Sequence, residues 1–223
     1  ISFAEALQHF QSSQLSERRR KVQGPGHRGG LSVLLRCLRG HPRLRPQLRG
    51  ERELALAMAQ CALDDSEQVH MRILQTIYRQ LSRSRLGCPR YGTHWEQLGF
   101  QGRAGRGNPG GLEEPEGRRN LLEIFTGIAI FFQNFPFCLM SVNITRMVVQ
   151  ALREKRLSRE CNRRREVLAV LNELHAAAFL RLARLWRQRH GTLQDAGLFL
   201  KELELSTKKK PRQLLRSLET YVS

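Results

Sequence analysis

Residues 95–102, which read Trp-Glu-Gln-Leu-Gly-Phe-Gln-Gly, form the most distinctive stretch of the sequence. They follow a strongly patterned helix and combine two large aromatics, Trp95 and Phe100, with two glycines, Gly99 and Gly102. Glycine tolerates backbone conformations that other residues avoid, and loops positioned by a rigid framework often carry binding residues. The pattern therefore predicts a loop that is built to hold one particular backbone shape.

The sequence carries no recognised catalytic pattern. It lacks a nucleophile elbow, a P-loop, an HExxH motif and an HxE…CxxC arrangement. Asp64 and Asp65 are adjacent carboxylates between two predicted helices, a position that suits helix capping better than acid–base catalysis. The cysteines form no CxxC pair, so we expect no metal site, and we also expect no cofactor. They are Cys37, Cys61, Cys88, Cys138 and Cys161.

The formal net charge of +18 is the strongest compositional signal. Of the 38 basic residues 32 are arginine, which suits phosphate groups, acidic partners or an anionic membrane surface. The arginines are spread along the whole chain, however, and solvated helix faces explain such a distribution as well. No nucleic-acid-binding motif accompanies the charge, and aromatics are not interleaved with the basic runs. We therefore expect no specific binding of nucleic acid.

An odd number of widely spaced cysteines favours reduced thiols, and therefore a cytoplasmic protein. The longest apolar run, 124–139, is interrupted by Gly127, Gln133, Asn134 and Pro136, so no membrane-spanning segment is predicted. We expect at most a peripheral association with membranes or the cytoskeleton. The chain opens at Ile1 rather than Met, so we also expect that an N-terminal piece is missing.

Apolar residues recur with a helical period along most of the chain, and no segment alternates like a strand, so the predicted class is all-α. Helices are expected at 3–10, 49–63, 141–156 and 162–190, and Ser141 can cap the third of these. Two more are expected, one after a capping box of Thr192 and Asp195 and one from Pro211. The predicted apolar faces comprise Ile144, Met147, Val148, Ala151 and Leu152 in 141–156, Val167, Val170, Leu171, Leu174, Ala178, Leu182 and Leu185 in 162–190, and Leu214, Leu215, Leu218 and Tyr221 in the last helix. Another helix is expected after residues 64–66, which can cap it. Its core-facing stripe is predicted to comprise Val69, Ile73, Ile77 and Leu81, flanked by Leu74 and Tyr78.

Composition divides the chain into two parts. Residues 1–48 read as a basic, helical N-terminal flank, and residues 49–222 read as one multi-helix domain. Within the domain, residues 103–119 form an atypical insert rich in Gly, Arg and Glu, with only Ala104 and Leu112 as apolar residues. Such a composition cannot bury enough apolar surface to order itself, so we predict a disordered or poorly packed loop there.

Several runs of the sequence together resemble the engulfment-and-cell-motility (ELMO) domain family. The resemblance covers most of residues 1–102 and 123–222, and the runs are long enough to be specific. The 95–102 stretch lies within one of them. The runs are 54–64, 70–78, 94–102, 135–145, 157–162 and 199–204.

The resemblance implies an all-α domain that stimulates GTP hydrolysis by small GTPases of the ADP-ribosylation-factor-like group. In this family an Arg shortly after the Gly-Phe-Gln-Gly run, in a Thr-Asp-x-Arg-Gly setting, serves as the catalytic finger. A planar, permanently charged guanidinium suits the γ-phosphate oxygens during phosphoryl transfer. For Trp95 and Phe100 the alternative role is that of core anchors. The residues expected to shape the loop that meets the GTPase are Trp95, Gly99, Phe100, Gln101 and Gly102.

The sequence departs from the family pattern after Gly102. The family's Arg falls near Gly110, no Thr-Asp precedes that position, and the apolar helix expected next is missing. Arg106 opens the only Arg-Gly step of segment 103–119 and is the first candidate for the finger; Arg103 is the second. Both also fit ordinary solvated loop charges. We therefore expect weakened GTPase activation, and the alternative is a non-catalytic GTPase-binding or cytoskeletal scaffold module.

Overall fold

The computed structural model describes residues 1–12, 42–64, 66–85, 87, 89–90, 92, 94–98 and 137–222. Every regular element in these ranges is helical, which confirms the predicted all-α class. Two 3₁₀ turns, Pro46–Leu48 and Leu193–Asp195, accompany the α-helices. In chain order the helices are α1 (Phe3–Gln11), α2 (Arg49–Met58), α3 (Gln68–Ser82), α4 (His94–Gln97), α5 (Phe137–Arg153), α6 (Ser158–Arg164), α7 (Leu168–Gln188), α8 (Ala196–Lys209) and α9 (Pro211–Val222).

Helix α7 is the centre of the fold. It packs against α5, α8 and α9, and also contacts α2 and α6. Fourteen of its 21 residues are buried, as expected for a helix that is apolar on nearly all sides. The alanine run 176–178 lets neighbouring helices approach closely, whereas Phe179 and Leu182 fill the space between them. The core is therefore built around one helix that its neighbours enclose.

Side-chain caps fix where several helices begin. In α1 the Ser2 hydroxyl accepts from the Glu5 backbone N–H, and Glu5 accepts from Ser2 in return. The predicted capping box of Thr192 and Asp195 is present, with the Thr192 N–H donating to Asp195 Oδ2 at 2.9 Å. The cap of α7 comes from a distant helix, since Glu51 of α2 accepts from Leu168 N–H at 2.8 Å.

The single helix predicted at 162–190 is wrong, because the structure places two helices there. Arg165 adopts the left-handed conformation, with φ of 61°, and ends α6. In this turn the N–H groups of Arg165 and Glu166 both donate to the Cys161 carbonyl at the helix end. Arg164 then forms ion pairs with Glu173 of α7 and Glu219 of α9. These contacts stabilise a bend that the apolar period alone does not reveal.

Two other predicted helix boundaries are also wrong. Helix α5 begins at Phe137, so Ser141 lies inside it instead of capping it, and its hydroxyl lies 3.2 Å from His175 Nε2. Helix α2 ends at Met58, before a turn that includes Cys61. The predicted inward residues of α5 are nevertheless all buried, because a helical period fixes the buried face even where it misplaces an end.

The predicted stripe of α3 is rotated in the structure. Its members, Val69, Ile73, Ile77 and Leu81, are only partly buried, whereas the fully buried residues are His70 and Leu74. The reason is that α3 packs on one side against α1, where Phe10 stacks on His70, and on the other against Trp95. Tyr221 of α9 is likewise exposed rather than inward, and the Arg184 guanidinium lies over its ring.

Candidate functional site

Trp95 is the predicted loop-shaping residue that the structure describes, and the loop prediction is wrong at this position because Trp95 lies in helix α4, His94–Gln97. Its side chain is 1% exposed and packs against Leu74, with Tyr78 and Leu98 at the edge of the same cluster. The Tyr78 and Trp95 rings meet edge to face, with centroids 5.4 Å apart. Aromatic pairs in this arrangement stabilise a core by more than the burial of their apolar surface area alone. The indole is therefore part of the core, where no partner protein can touch it directly.

The carbonyl oxygen of Pro89 accepts hydrogen bonds from the side chains of His94 and Trp95. The indole Nε1–H of Trp95 donates to this oxygen at 3.0 Å, and His94 Nε2 lies at the same distance from it. Because a carbonyl oxygen only accepts, the second hydrogen bond requires the proton of His94 to be on Nε2. The two bonds tie the start of α4 to the preceding turn.

Gly92 makes this close arrangement sterically feasible. Its φ is 147°, which side chains rarely adopt, and a Cβ there would lie 2.7 Å from the His94 ring. Its carbonyl also accepts from the Trp95 N–H at 3.3 Å. The close approach of the His94 ring to this backbone therefore depends on glycine at position 92.

A backbone hydrogen bond joins residues that are far apart in the sequence. Cys138 N–H, in the first turn of α5, donates to the Leu98 carbonyl at 3.3 Å. Residues 94–98 belong to the cluster around Trp95, and α5 packs on the central helix α7. The described residues on the two sides of segment 99–136 therefore meet at Leu98 and Cys138, next to the Trp95 cluster.

A polar network supports the other side of α3. His70 Nδ1 accepts from the Asp64 N–H at 3.0 Å, and Arg90 donates to the Leu63 carbonyl at 3.3 Å. Asp64 does not cap α3. Its carboxylate accepts instead from the hydroxyl and backbone N–H of Ser66, and these bonds lower its pKa. His70 is thus a buried, hydrogen-bonded histidine of the framework.

The remaining predicted site residues lie outside the described residues. So does the whole of the insert predicted at 103–119. The structure therefore gives the framework from which the segment starts, with Trp95 as its buried anchor. The site residues concerned are Gly99, Phe100, Gln101, Gly102, Arg103 and Arg106.

Sequence reasoning missed the parts played by Pro89, Gly92 and His94. A usable signal was present, because a Pro and a Gly closely precede the His-Trp pair, and such residues mark tight turns. Among the described residues, no group of three or more His, Cys, Asp and Glu side chains is arranged to hold a metal ion. None of the described helices combines the length and apolar character needed to cross a membrane.

Comparison with known proteins supports the family resemblance. The pattern of the ELMO/CED-12 family matches residues 53–106 and 112–199, more than half of the chain. The chain is 48% identical over 239 residues to ELMO domain-containing protein 3 of Bos taurus, and 47% identical to the Homo sapiens and Mus musculus proteins of that name. All of the chain is aligned, but it spans only 62% of the length of each relative. No solved structure matches it.

Proposed function

The chain belongs to the ELMO/CED-12 family, and from this premise we propose that it is a GTPase-activating domain for ADP-ribosylation-factor-like small GTPases. Such a domain has no active site of its own. It completes the site of its partner by inserting an arginine beside the γ-phosphate. We further propose that activation is weakened in this chain, because segment 103–119 does not reproduce the finger motif.

The observation that carries the proposal is the fixed origin of segment 99–136. Leu98 and Cys138 are hydrogen-bonded, and Leu98 packs in the same cluster as the buried Trp95. Arg103 follows Leu98 by five residues, and a chain spans at most about 3.6 Å per residue, so its Cα lies within ~18 Å of this origin. For Arg106 the same limit is ~29 Å. Both candidate arginines therefore follow this origin closely along the chain.

The proposed chemistry is electrostatic. As GTP is cleaved, negative charge develops on the transferred phosphoryl oxygens and the leaving group, and a guanidinium placed there by a partner stabilises it. Arg106 is the first candidate and Arg103 the second. Arg90, close to the same cluster, donates to the Leu63 carbonyl and so already contacts the framework. The finger would therefore come from the segment between Leu98 and Phe137.

The second candidate function is GTPase binding without catalysis. One observation favours it: the family pattern matches up to residue 106 and resumes at residue 112, so the interval directly after Arg106 has no counterpart in that pattern. The described core around α7 is built with residues of α2, α5, α6, α8 and α9. A chain that keeps the framework and lacks a well-placed finger would bind the GTPase and leave hydrolysis unchanged.

The test is single-turnover GTP hydrolysis by an ADP-ribosylation-factor-like GTPase, measured with and without the chain. We expect acceleration smaller than the ~10³–10⁵-fold of a complete arginine finger. Arg106→Ala should remove most of it, and Arg103→Ala should have a smaller effect. The matched control is Arg79→Ala, which removes an exposed arginine of α3 and should leave the acceleration unchanged.

A binding measurement with the same GTPase, loaded with a non-hydrolysable GTP analogue, separates the two candidates. Binding without acceleration would establish the non-catalytic function and reject the activator. Acceleration that survives in both arginine variants would reject the assigned fingers. A folded chain that neither binds nor accelerates members of this GTPase group would overturn the proposed function.

A further inference from the structure

The outward face of α8 carries leucines that the fold does not use. We define this face as Leu198, Lys201, Leu205 and Lys209, which fall on one side of a helix with 3.6 residues per turn. Leu198 is 61% exposed and Leu205 is 49% exposed. Leu193, in the turn just before the helix, is 58% exposed. Single exposed leucines are ordinary, but three on or beside one short helix call for an explanation.

The opposite side of α8 already supplies its packing. Phe199, Leu203 and Thr207 are buried, and the Phe199 ring meets Trp186 edge to face at 5.5 Å. The helix is thus held on α7 by its opposite side, and Leu198 and Leu205 remain largely exposed. The space beside this face is open at Gly197, where an added Cβ would meet no atom within 4 Å. Leu198 and Leu205 therefore project from the helix next to open space.

The charges around the outward face are positive. Glu202, the acidic residue beside it, forms ion pairs with Arg189 at 2.9 Å and Arg181 at 3.4 Å. Glu204 is paired with Lys208 at 2.7 Å. Lys201 and Lys209 are exposed, and neither forms an ion pair with an acidic group in the described part of the chain. The outward face therefore presents exposed leucines beside two lysines, Lys201 and Lys209, that are not ion-paired with described acidic residues.

We propose that the outward face of α8 docks on an anionic lipid bilayer. In such a complex Leu198 and Leu205 enter the boundary between headgroups and acyl chains, whereas Lys201 and Lys209 contact lipid phosphates and carboxylates. This division of apolar and basic residues is what anchors amphipathic helices at membrane interfaces. The proposal goes beyond GTPase activation and does not depend on it.

Charge and shape favour this occupant over the alternatives. Two copies of a chain with a net charge of +18 repel each other, which disfavours a dimer formed through this face. An amphipathic peptide helix lays its apolar face into a groove, whereas Leu198 and Leu205 project from the outward face. A bilayer is locally flat and deformable, so projecting leucines can enter it.

The test is co-sedimentation of the chain with phosphatidylcholine vesicles, with and without about 30% phosphatidylserine. We expect binding only to the anionic vesicles, and lower binding at high salt. The paired change Leu198→Ser with Leu205→Ser should abolish most of it at unchanged net charge. The change Lys201→Gln with Lys209→Gln should lower the partition coefficient about 25-fold, because each lysine near such a surface contributes about fivefold.

A matched control separates a docking face from general basicity. Arg79→Gln with Arg85→Gln also removes two exposed cations, but from α3 and the turn after it. We expect this control to lower binding by less than about threefold. If the double lysine variant and the double arginine variant lose vesicle binding to the same extent, the attraction is non-specific and the proposal is overturned. Absence of binding to anionic vesicles would overturn it outright.

Two more measurements cover the other occupants. Light scattering measures the oligomeric state. If the native chain is a dimer and the variant with Leu198→Ser and Leu205→Ser is a monomer, the face is an interface between copies and the proposal fails. If a soluble acidic peptide competes as well as anionic vesicles do, a protein partner replaces the membrane. GTP hydrolysis in the absence of vesicles should be the same in all variants, so failure here and failure of the proposed GTPase activity are distinguishable.

Discussion

His175 shows how burial fixes the properties of a single residue. Its Nε2 lies 3.2 Å from the Ser141 hydroxyl and 3.3 Å from the Ser141 carbonyl oxygen, so the ring lies between α7 and α5. Burial opposes the charged form and lowers the pKa of His175 to about 4, although the hydrogen bond to Ser141 acts in the opposite direction. The imidazole is therefore neutral in the folded protein at physiological pH.

This shift predicts a loss of stability in acid. In the unfolded chain the pKa of a histidine is near 6.5, so unfolding takes up a proton between pH 6.5 and about 4. The contribution of His175 is fully present above pH 6.5 and is lost as the pH falls through that window, at most about 3 kcal/mol. Denaturant unfolding of the native chain and of His175→Gln across this range measures it. The difference in free energy of unfolding should shrink in acid, whereas a constant difference would show that His175 does not titrate in this way.

At the scale of elements, the sequence predicted the buried faces of α5 and α7 better than their ends, whereas the predicted face of α3 is rotated. Leu174, Ala178 and Leu182 fall on the predicted face of α7 because a helical period is a local property of the chain. The break at Arg165 could not be predicted, because an arginine gives no signal for the left-handed conformation that it adopts. What stabilises this turn is the pairing of Arg164 with Glu173 and Glu219, which requires the tertiary fold.

The candidate site follows the same logic. The sequence singled out Trp95, because a bulky aromatic beside paired glycines is locally unusual. Its bond to Pro89 and the bond from Cys138 to Leu98 depend on how the chain closes in space, so no local pattern predicts them. Leu98 and Cys138 are far apart in the sequence, so their contact arises only from the tertiary fold.

Two glycines next to or within α8 should respond oppositely to substitution by alanine. A Cβ at Gly191, in the turn before the helix, would lie 2.4 Å from the Phe199 ring and 3.1 Å from Trp186. Gly191→Ala should therefore displace α8 and lower the free energy of unfolding by about 1–3 kcal/mol. Gly197 is inside α8 with open space around it, so Gly197→Ala should raise the free energy of unfolding by roughly 0.5–1 kcal/mol.

Thermal and denaturant unfolding of the two variants and the native chain measures both effects under one set of conditions. Each variant serves as the control for the other, since both add a single methyl group within seven residues of chain. Equal shifts of the same sign would mean that the packing of Phe199 on the turn does not position α8.

At the scale of the whole molecule, the fold extends beyond the part that matches the family pattern. That match ends at residue 199, yet α9 supplies Leu214, Leu215 and Leu218 to the main core. Helix α9 also carries Glu219, 2.8 Å from Arg164, and Arg212, 3.5 Å from the buried carboxylate of Glu160. Helix α1 lies before the match and contacts α2 and α3, but its only buried residue is Ala6.

Removal of α9 should therefore unfold the chain, whereas removal of α1 should not. Each large apolar side chain contributes roughly 1.5–3 kcal/mol when it is buried, so three leucines account for much of a stability of about 5–15 kcal/mol. A chain ending at Lys210 should lose its cooperative thermal transition, and Leu215→Ala alone should cost about 2–5 kcal/mol. A chain that starts after Gln11 is the control and should melt cooperatively at a modestly lower temperature. If the chain ending at Lys210 melts like the native one, α9 is an attachment to a core that is complete without it, and the family match marks the true boundary of the domain.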